Sequence, residues 1–210
     1  MTESVVRIGA LEGNLTIPAD ACGMVLFAHG SGSSRHSPRN RYVAKELHRS
    51  GLATLLIDLL TADEESIDMR TGHLRFDIGL LADRLVAATD WLAAQAETKS
   101  LKLGYFGAST GAGAALVAAA ERPDAVAAVV SRGGRPDLAG ASLPLVTAPT
   151  LLILGGEDTP VIGMNREASA RMQVENRIVI VPGASHLFEE PGMIEEVARL
   201  AAEWFGKYLV

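Results

Sequence analysis

The stretch Leu103 to Gly113 reads LGYFGASTGAG, and it decides how the rest of the chain is interpreted. Its first residues are apolar and typical of the end of a buried strand, whereas the alanine-rich sequence after it is typical of a helix. Between them, Ser109 lies in a tight turn flanked by Gly107 and Gly111. A hydroxyl at such a turn has two explanations: a glycine-rich loop that binds phosphate, or a serine that the turn exposes as a nucleophile.

The composition excludes several classes of protein. With 210 residues, of which 48% are hydrophobic and 21% charged, the chain is expected to form one globular domain spanning residues 1–210. A net charge of -6 and the lack of a basic stripe argue against a nucleic-acid partner. Cys22 is the single cysteine, so no internal disulfide can form. The N-terminus lacks the features of a secretory signal and no apolar run is long enough to cross a bilayer, so we expect a cytoplasmic protein without a membrane partner.

Short apolar runs alternate with longer helical patterns along the chain. The runs are nearly continuous in apolar residues, as expected of parallel strands that are covered on both faces. They lie at residues 23–29, 52–60, 101–107, 125–131, 150–156 and 177–183, and the helical patterns lie at about 39–50, 77–97, 111–121, 160–173 and 191–208. This alternation predicts a doubly wound α/β domain with a mostly parallel sheet, and the segments SVVRIGA and GNLTIPA predict an N-terminal antiparallel edge hairpin.

Three groups that could act together in catalysis follow predicted strands. In such a sheet, ligands bind beyond the carboxyl ends of the strands, where the chain carries Ser109, Asp158 and His186 in that order. The order is that of a nucleophile elbow, with His186 as the base for Ser109 and Asp158 as the carboxylate that fixes the tautomer of the histidine. Glu157 and Asp137 stay open as alternatives for the acid.

The backbone near the serine supplies candidate donors to a developing oxyanion. They are the amide of Thr110, at the start of the helix after the elbow, and the amide of Ser31 in the turn HGSG. His29, which precedes this turn, is predicted to bond the backbone beneath it, and Asp58 is predicted to cap a strand end.

Three arginines follow strands at the same edge of the sheet. Arg132 directly follows the predicted strand at residues 125–131, and Arg35 follows the turn HGSG. A guanidinium there could hold a carboxylate or phosphate with two hydrogen bonds, so Arg132 and Arg35 are candidate substrate-binding residues. The alternative, strongest for Arg35 and Arg135, is that the side chains pair with acidic residues and fix loops.

The turn HGSGSSR, the elbow GASTG, the strand LLILGGED and the loop GASHLFEEPG together resemble the dienelactone-hydrolase-like branch of the α/β-hydrolase superfamily. The resemblance runs from about Gly23 to the C-terminus and implies hydrolysis of esters, lactones or related acyl bonds without a metal. Ser109 stands where dienelactone hydrolases have a cysteine. The segment SRGGRPDLAG also resembles small hydrolases of this branch, some of which occur fused to phosphoribosyltransferase domains.

The sequence therefore predicts a serine hydrolase of small acyl esters, acidic esters or lactones among them, with no cofactor and no metal. Residues 59–76 and 132–149 are the insertions at the catalytic edge, and both are too short for a separate helical cap, so we expect a minimal cap and an open, small site.

One alternative is a non-catalytic protein of this fold that binds a ligand or a partner. Another is an NADP-dependent short-chain dehydrogenase, since Gly107, Gly111 and Gly113 fit its glycine spacing. Against it, the loop lies mid-chain and no tyrosine is followed four residues later by lysine.

Overall fold

The apolar runs of the sequence form one sheet of eight strands. The computed structural model describes residues 1–210, and its strands are β1 (Thr2–Ile8), β2 (Leu11–Ile17), β3 (Gly23–Ala28), β4 (Leu52–Ile57), β5 (Leu103–Ala108), β6 (Val126–Arg132), β7 (Thr150–Gly155) and β8 (Asn176–Val181). Their order across the sheet is β1-β2-β4-β3-β5-β6-β7-β8. The β1–β2 and β2–β4 pairs are antiparallel, and the other five pairs are parallel. The predicted fold class, with its N-terminal antiparallel hairpin, is confirmed.

Helices cover both faces of the sheet. They are α1 (Pro38–Arg49), α2 (Ala62–Thr71), α3 (Ile78–Ala94), α4 (Thr110–Glu121), α5 (Thr159–Arg171) and α6 (Met193–Leu209). Helices α1 and α6 pack on one face, and α3 and α4 pack on the other. None of the six has both the length and the apolar character that crossing a bilayer requires.

Strand β3 shows why the runs are apolar throughout and do not alternate. All six of its residues are buried. Leu26 packs in the core that contains α3 and α4, whereas Val25 and Phe27 pack in the core that contains α1 and α6. Both faces of a central parallel strand are removed from water, so both need apolar side chains.

Helix α2 and two 3₁₀ segments, Leu74–Phe76 and Pro136–Leu145, are elements that the apolar pattern does not predict. Helix α2 buries only Asp68, so it has no apolar stripe. A different signal marks its start: Thr61 and Glu64 form a reciprocal capping box, in which each side chain accepts a hydrogen bond from the other residue's amide. Helix α2 and the segment Leu74–Phe76 line a cavity beside the glycine-rich turn, whereas Pro136–Leu145 packs against α4 and α5.

Candidate active site

Ser109 lies between β5 and α4 in a strained backbone conformation. Its φ is 49° and its ψ is -122°, and apart from glycines only Phe188 shares a positive φ. Such a conformation costs about 1 to 3 kcal/mol, so the surrounding fold has to hold it in place. The Ser109 carbonyl accepts hydrogen bonds from the amides of Ala112 and Arg135, at 3.1 and 3.0 Å. These bonds fix the turn that carries the half-buried Ser109.

The glycines on either side of Ser109 are required by close backbone contacts. A Cβ atom on Gly107 would lie 2.5 Å from the Cα of Ala112. On Gly111 it would lie 2.4 Å from the carbonyl oxygens of both Ala28 and His29. Helix α4 therefore passes so close to β3 and β5 that neither position has room for a side chain.

We expect Gly111→Ala to lower the free energy of unfolding by about 3 kcal/mol or more, because the new methyl group meets rigid backbone. The measurement is the urea unfolding midpoint of the variant against the wild-type protein. Gly206→Ala is the matched control, since Gly206 lies in α6 with no atom within 4 Å of the added Cβ. That change is expected to stabilise the helix by up to about 1 kcal/mol. Equal effects of the two substitutions would contradict the close approach at the elbow.

His186 and Asp158, the predicted base and acid, are in direct contact. The Nδ1 atom of His186, in the loop after β8, lies 2.6 Å from Oδ2 of Asp158, in the loop after β7. The Asp158 side chain is 12% exposed and that of His186 is 37% exposed. Of the other acid candidates, Glu157 is exposed and Asp137 forms two 2.8 Å hydrogen bonds with Arg135. Asp158 is thus the one of the three that contacts His186.

Ser109 and His186 line the same cavity, whose volume is about 200 Å³. A second cavity of about 230 Å³ contains Thr110 and the apolar side chains of Leu59, Leu60, Met69 and Leu81. The two cavities share Gly30, Ser31 and Ser33 and so lie on either side of the glycine-rich turn. A larger groove of about 500 Å³ between the N-terminal hairpin and α1 contains none of the predicted site residues.

The two candidate oxyanion donors are adjacent, and one of them is already engaged. The Ser31 amide donates a hydrogen bond to the Thr110 hydroxyl at 3.0 Å. Thr110 is the first residue of α4, so its own amide has no acceptor within the helix. An incoming oxyanion would meet a free Thr110 amide and would compete with the Thr110 hydroxyl for the amide of Ser31.

His29 bonds the backbone of the glycine-rich turn, as predicted, and also that of the segment after β4. Its Nε2 accepts from the Leu59 amide at 3.0 Å, so Nδ1 carries the proton and donates to the Gly30 carbonyl at 2.9 Å. Burial lowers the pKa of His29, which keeps the ring neutral and able to accept. The ring thus ties the turn to the end of β4.

The candidate arginines lie in different environments. Arg35 is bound by Asp58 and Glu12 and does not line the cavity of Ser109, and Arg135 is paired with Asp137. Arg132 does line that cavity.

Arg39, which the sequence pattern does not single out, lines the same cavity. The only signal for it is the helix start Ser37-Pro38, which places Arg39 in the first turn of α1.

A mostly parallel eight-stranded sheet in this order, with a strained serine turn after β5, defines an α/β-hydrolase. The chain belongs to the dienelactone hydrolase family, whose model matches residues 11–209.

Several known proteins resemble the chain. A crystal structure of dienelactone hydrolase from Anabaena variabilis is 66% identical, has a TM-score of 0.97, and is matched over 100% of this chain and 99% of that one. Est1E from Butyrivibrio proteoclasticus is 16% identical with a TM-score of 0.80, over 99% and 98% of the two chains, and so shares the fold. A protein of Mycobacterium tuberculosis (strain H37Rv) named "Putative phosphoribosyl transferase" is 60% identical over 199 residues. That match covers 95% of this chain and 44% of the relative, so the chain spans less than half of that protein's length.

Proposed function

We propose that the chain is a serine hydrolase that cleaves small acyl esters through an acyl-enzyme. Ser109 is the nucleophile, His186 is the general base, and Asp158 orients the imidazole and stabilises its charged form. The observation that carries the proposal is the strained Ser109 in one cavity with a histidine whose Nδ1 is 2.6 Å from a carboxylate.

The first half of the reaction forms the acyl-enzyme. Ser109 Oγ attacks the carbonyl carbon of the ester while His186 Nε2 takes the hydroxyl proton. The carbonyl oxygen becomes an oxyanion, for which the amides of Thr110 and Ser31 are the proposed donors. When the carbon–oxygen bond to the alcohol breaks, the imidazolium gives its proton to the departing alcohol.

The second half returns the enzyme to its starting state. His186 takes a proton from water, and the resulting hydroxide attacks the acyl carbonyl carbon. The bond to Ser109 Oγ then breaks, and the serine oxygen takes the proton back from the imidazolium. The products are one carboxylic acid and one alcohol for each ester and water consumed.

Partitioning of the acyl group between water and an added alcohol tests this route. Phenyl acetate and p-nitrophenyl acetate would give the same acetyl-enzyme, so with added ethanol both should yield the same ratio of ethyl acetate to acetate. A ratio that changes with the leaving group would contradict a common acyl-enzyme. A lack of turnover above background for both esters would favour the non-catalytic binding protein.

We expect the enzyme to prefer short, soluble esters. The cavities beside the elbow, of about 200 and 230 Å³, leave little room for a long acyl chain, and extra methylenes that stay in water add no binding energy. In a series of p-nitrophenyl esters, kcat/KM should be highest for acyl chains of about two to four carbons. A steady rise in kcat/KM up to the twelve-carbon laurate would contradict this expectation.

We do not carry the name of the mycobacterial relative over to this chain. That protein is more than twice as long as the part matched here, and this chain belongs to the dienelactone hydrolase family over residues 11–209. A single domain, cytoplasmic location and independence from metal and cofactor remain predictions.

A further inference from the structure

Two charged side chains of the protein are buried, and their bonding differs. Asp68 is 3% exposed, and it accepts hydrogen bonds from the amides of Leu74 and Arg75 and from Arg75 Nε. Arg132 is 6% exposed and has no carboxylate partner. Its one side-chain hydrogen bond joins Nη2 to Oδ1 of Asn40 at 3.3 Å, and its Nε has no partner. The buried anion is fully bonded, whereas the buried cation is not.

The protein itself stabilises the Arg132 charge weakly. A guanidinium has five N–H donors, and removing it from water is costly unless they are bonded. The Phe188 ring lies 6.0 Å from the Arg132 Cζ atom, at the limit of a cation–π contact. Burial, with the nearby charge of Arg39, lowers the pKa of Arg132 to about 10, so the group stays charged at neutral pH. Arg132 is therefore a buried cation with N–H donors that lack a protein partner.

The surroundings of Arg132 within the cavity are also electropositive. Ser37, the N-cap of α1, and Arg39, in its first turn, both line the cavity, and α1 has 12 residues. The N-terminus of a helix carries a partial positive charge. In α1, Pro38 has no N–H and the Asn40 amide donates to Ser37 Oγ, so the Arg39 amide is the one that the first three residues leave for a ligand. Arg39 donates from Nη1 to Glu189 at 2.5 Å. Because this carboxylate partly neutralises it, Arg39 adds less positive charge to the cavity than Arg132 does.

We propose that this cavity binds a carboxylate or phosphate group of the substrate, with Arg132 as the main donor and Arg39 and the first turn of α1 in support. Because Ser109 and His186 line the same cavity, the bound anion and the ester bond belong to one small molecule. The inference rests on the proposed function and narrows its substrates to small esters that bear an acidic group.

Three acetate esters that differ in one group test the proposal. They are the acetates of 4-hydroxybenzoate, of 4-hydroxyphenylphosphonate and of 4-hydroxybenzamide. The carboxylate and the amide are nearly equal in size, and the phosphonate stands in for a phosphate. We expect wild-type protein to prefer one of the two anionic esters, and the preferred one identifies the group.

The effect of Arg132 is measured as the ratio of kcat/KM for the preferred anionic ester to kcat/KM for the neutral amide. We expect Arg132→Met to lower this ratio by about 30-fold to 1,000-fold, the loss typical of a buried bidentate charge pair. The intrinsic reactivities of the esters cancel when the ratio is compared between proteins. Arg135→Gln is the matched control, since Arg135 is paired with Asp137 outside the cavity, and its ratio should equal that of wild type.

Stability separates a binding role from a structural one. If Arg132 is kept for a ligand, Arg132→Met removes a poorly compensated buried charge, and the thermal unfolding midpoint should stay equal or rise. A marked fall would assign Arg132 to the fold and contradict the proposal.

Inhibition of the wild-type protein gives a measurement that needs no variant. Acetate or inorganic phosphate should inhibit hydrolysis of the neutral ester competitively, and acetamide should not.

The proposal is overturned if neither anion inhibits and the anionic esters are not preferred. If the neutral ester is hydrolysed with dependence on Ser109 but Arg132→Met leaves the ratio unchanged, only the anion site fails. If Ser109 is not needed for hydrolysis, the proposed function itself fails.

Discussion

Replacing Ser109 by alanine is expected to lower kcat for ester hydrolysis by about a million-fold. The variant loses the atom that attacks the ester, and only the oxyanion donors and substrate binding remain to accelerate the reaction. The fold should be kept, because alanine is smaller than serine and the φ of 49° is held by the bonds around the turn.

The measurement is kcat with a short p-nitrophenyl ester, together with circular dichroism and the thermal unfolding midpoint. Ser131→Ala is the matched control. Ser131 is a fully buried serine in β6, and its hydroxyl has no hydrogen-bond partner, so its loss should change neither activity nor fold. Activity of Ser109→Ala within about a hundred-fold of wild type would contradict the nucleophile assignment, because a lost nucleophile costs far more.

Replacing Asp158 by asparagine is expected to lower kcat by about 10,000-fold. The carboxylate accepts from His186 Nδ1 at 2.6 Å, so the tautomer it selects in the neutral ring has Nε2 free to take the serine proton. An amide in its place can donate to Nδ1, and this favours the tautomer in which Nε2 carries the proton. The substitution also removes the negative charge that stabilises the imidazolium.

The two other acid candidates supply the controls for Asp158→Asn. Glu157→Gln and Asp137→Asn should each keep kcat within a few-fold of wild type, because Glu157 is exposed and Asp137 is paired with Arg135. If Glu157→Gln lost activity and Asp158→Asn did not, the catalytic acid would be Glu157. The contact between Asp158 and His186 would then have no role in catalysis.

The sheet and the elbow could be predicted because their signals are local. Strands such as β3 are covered on both faces, so their apolar runs stand out in the sequence. The elbow is marked by Gly107 and Gly111, which the backbone contacts require. All five predicted helices are present, with ends within about three residues of those predicted.

Helix α2 could not be predicted from apolar periodicity because it is held by polar contacts. Asp68, its one buried residue, binds the segment that follows the helix through Leu74 and Arg75. A polar anchor gives no hydrophobic stripe, and only the capping box of Thr61 and Glu64 marks the helix start.

The partners of the charged side chains depend on contacts between distant parts of the chain. Arg35 pairs with Glu12 and Asp58, which precede and follow it by 23 residues, and nothing local in the sequence selects these acids over others. The choice of Asp158 over Glu157 is of the same kind, because adjacent loop residues point in different directions. The bonding of Arg132 likewise depends on Asn40 in α1, 92 residues away.

Reaction with a fluorophosphonate probe, followed by peptide mass spectrometry, tests the nucleophile assignment most directly. Such probes phosphonylate a serine only where a base activates its hydroxyl and oxyanion donors are in place. We expect one adduct per chain, on the peptide that contains Ser109, with strongly slowed labelling in Asp158→Asn and none in Ser109→Ala. An unlabelled wild-type protein, or an adduct on any other residue, would contradict Ser109 as an activated nucleophile.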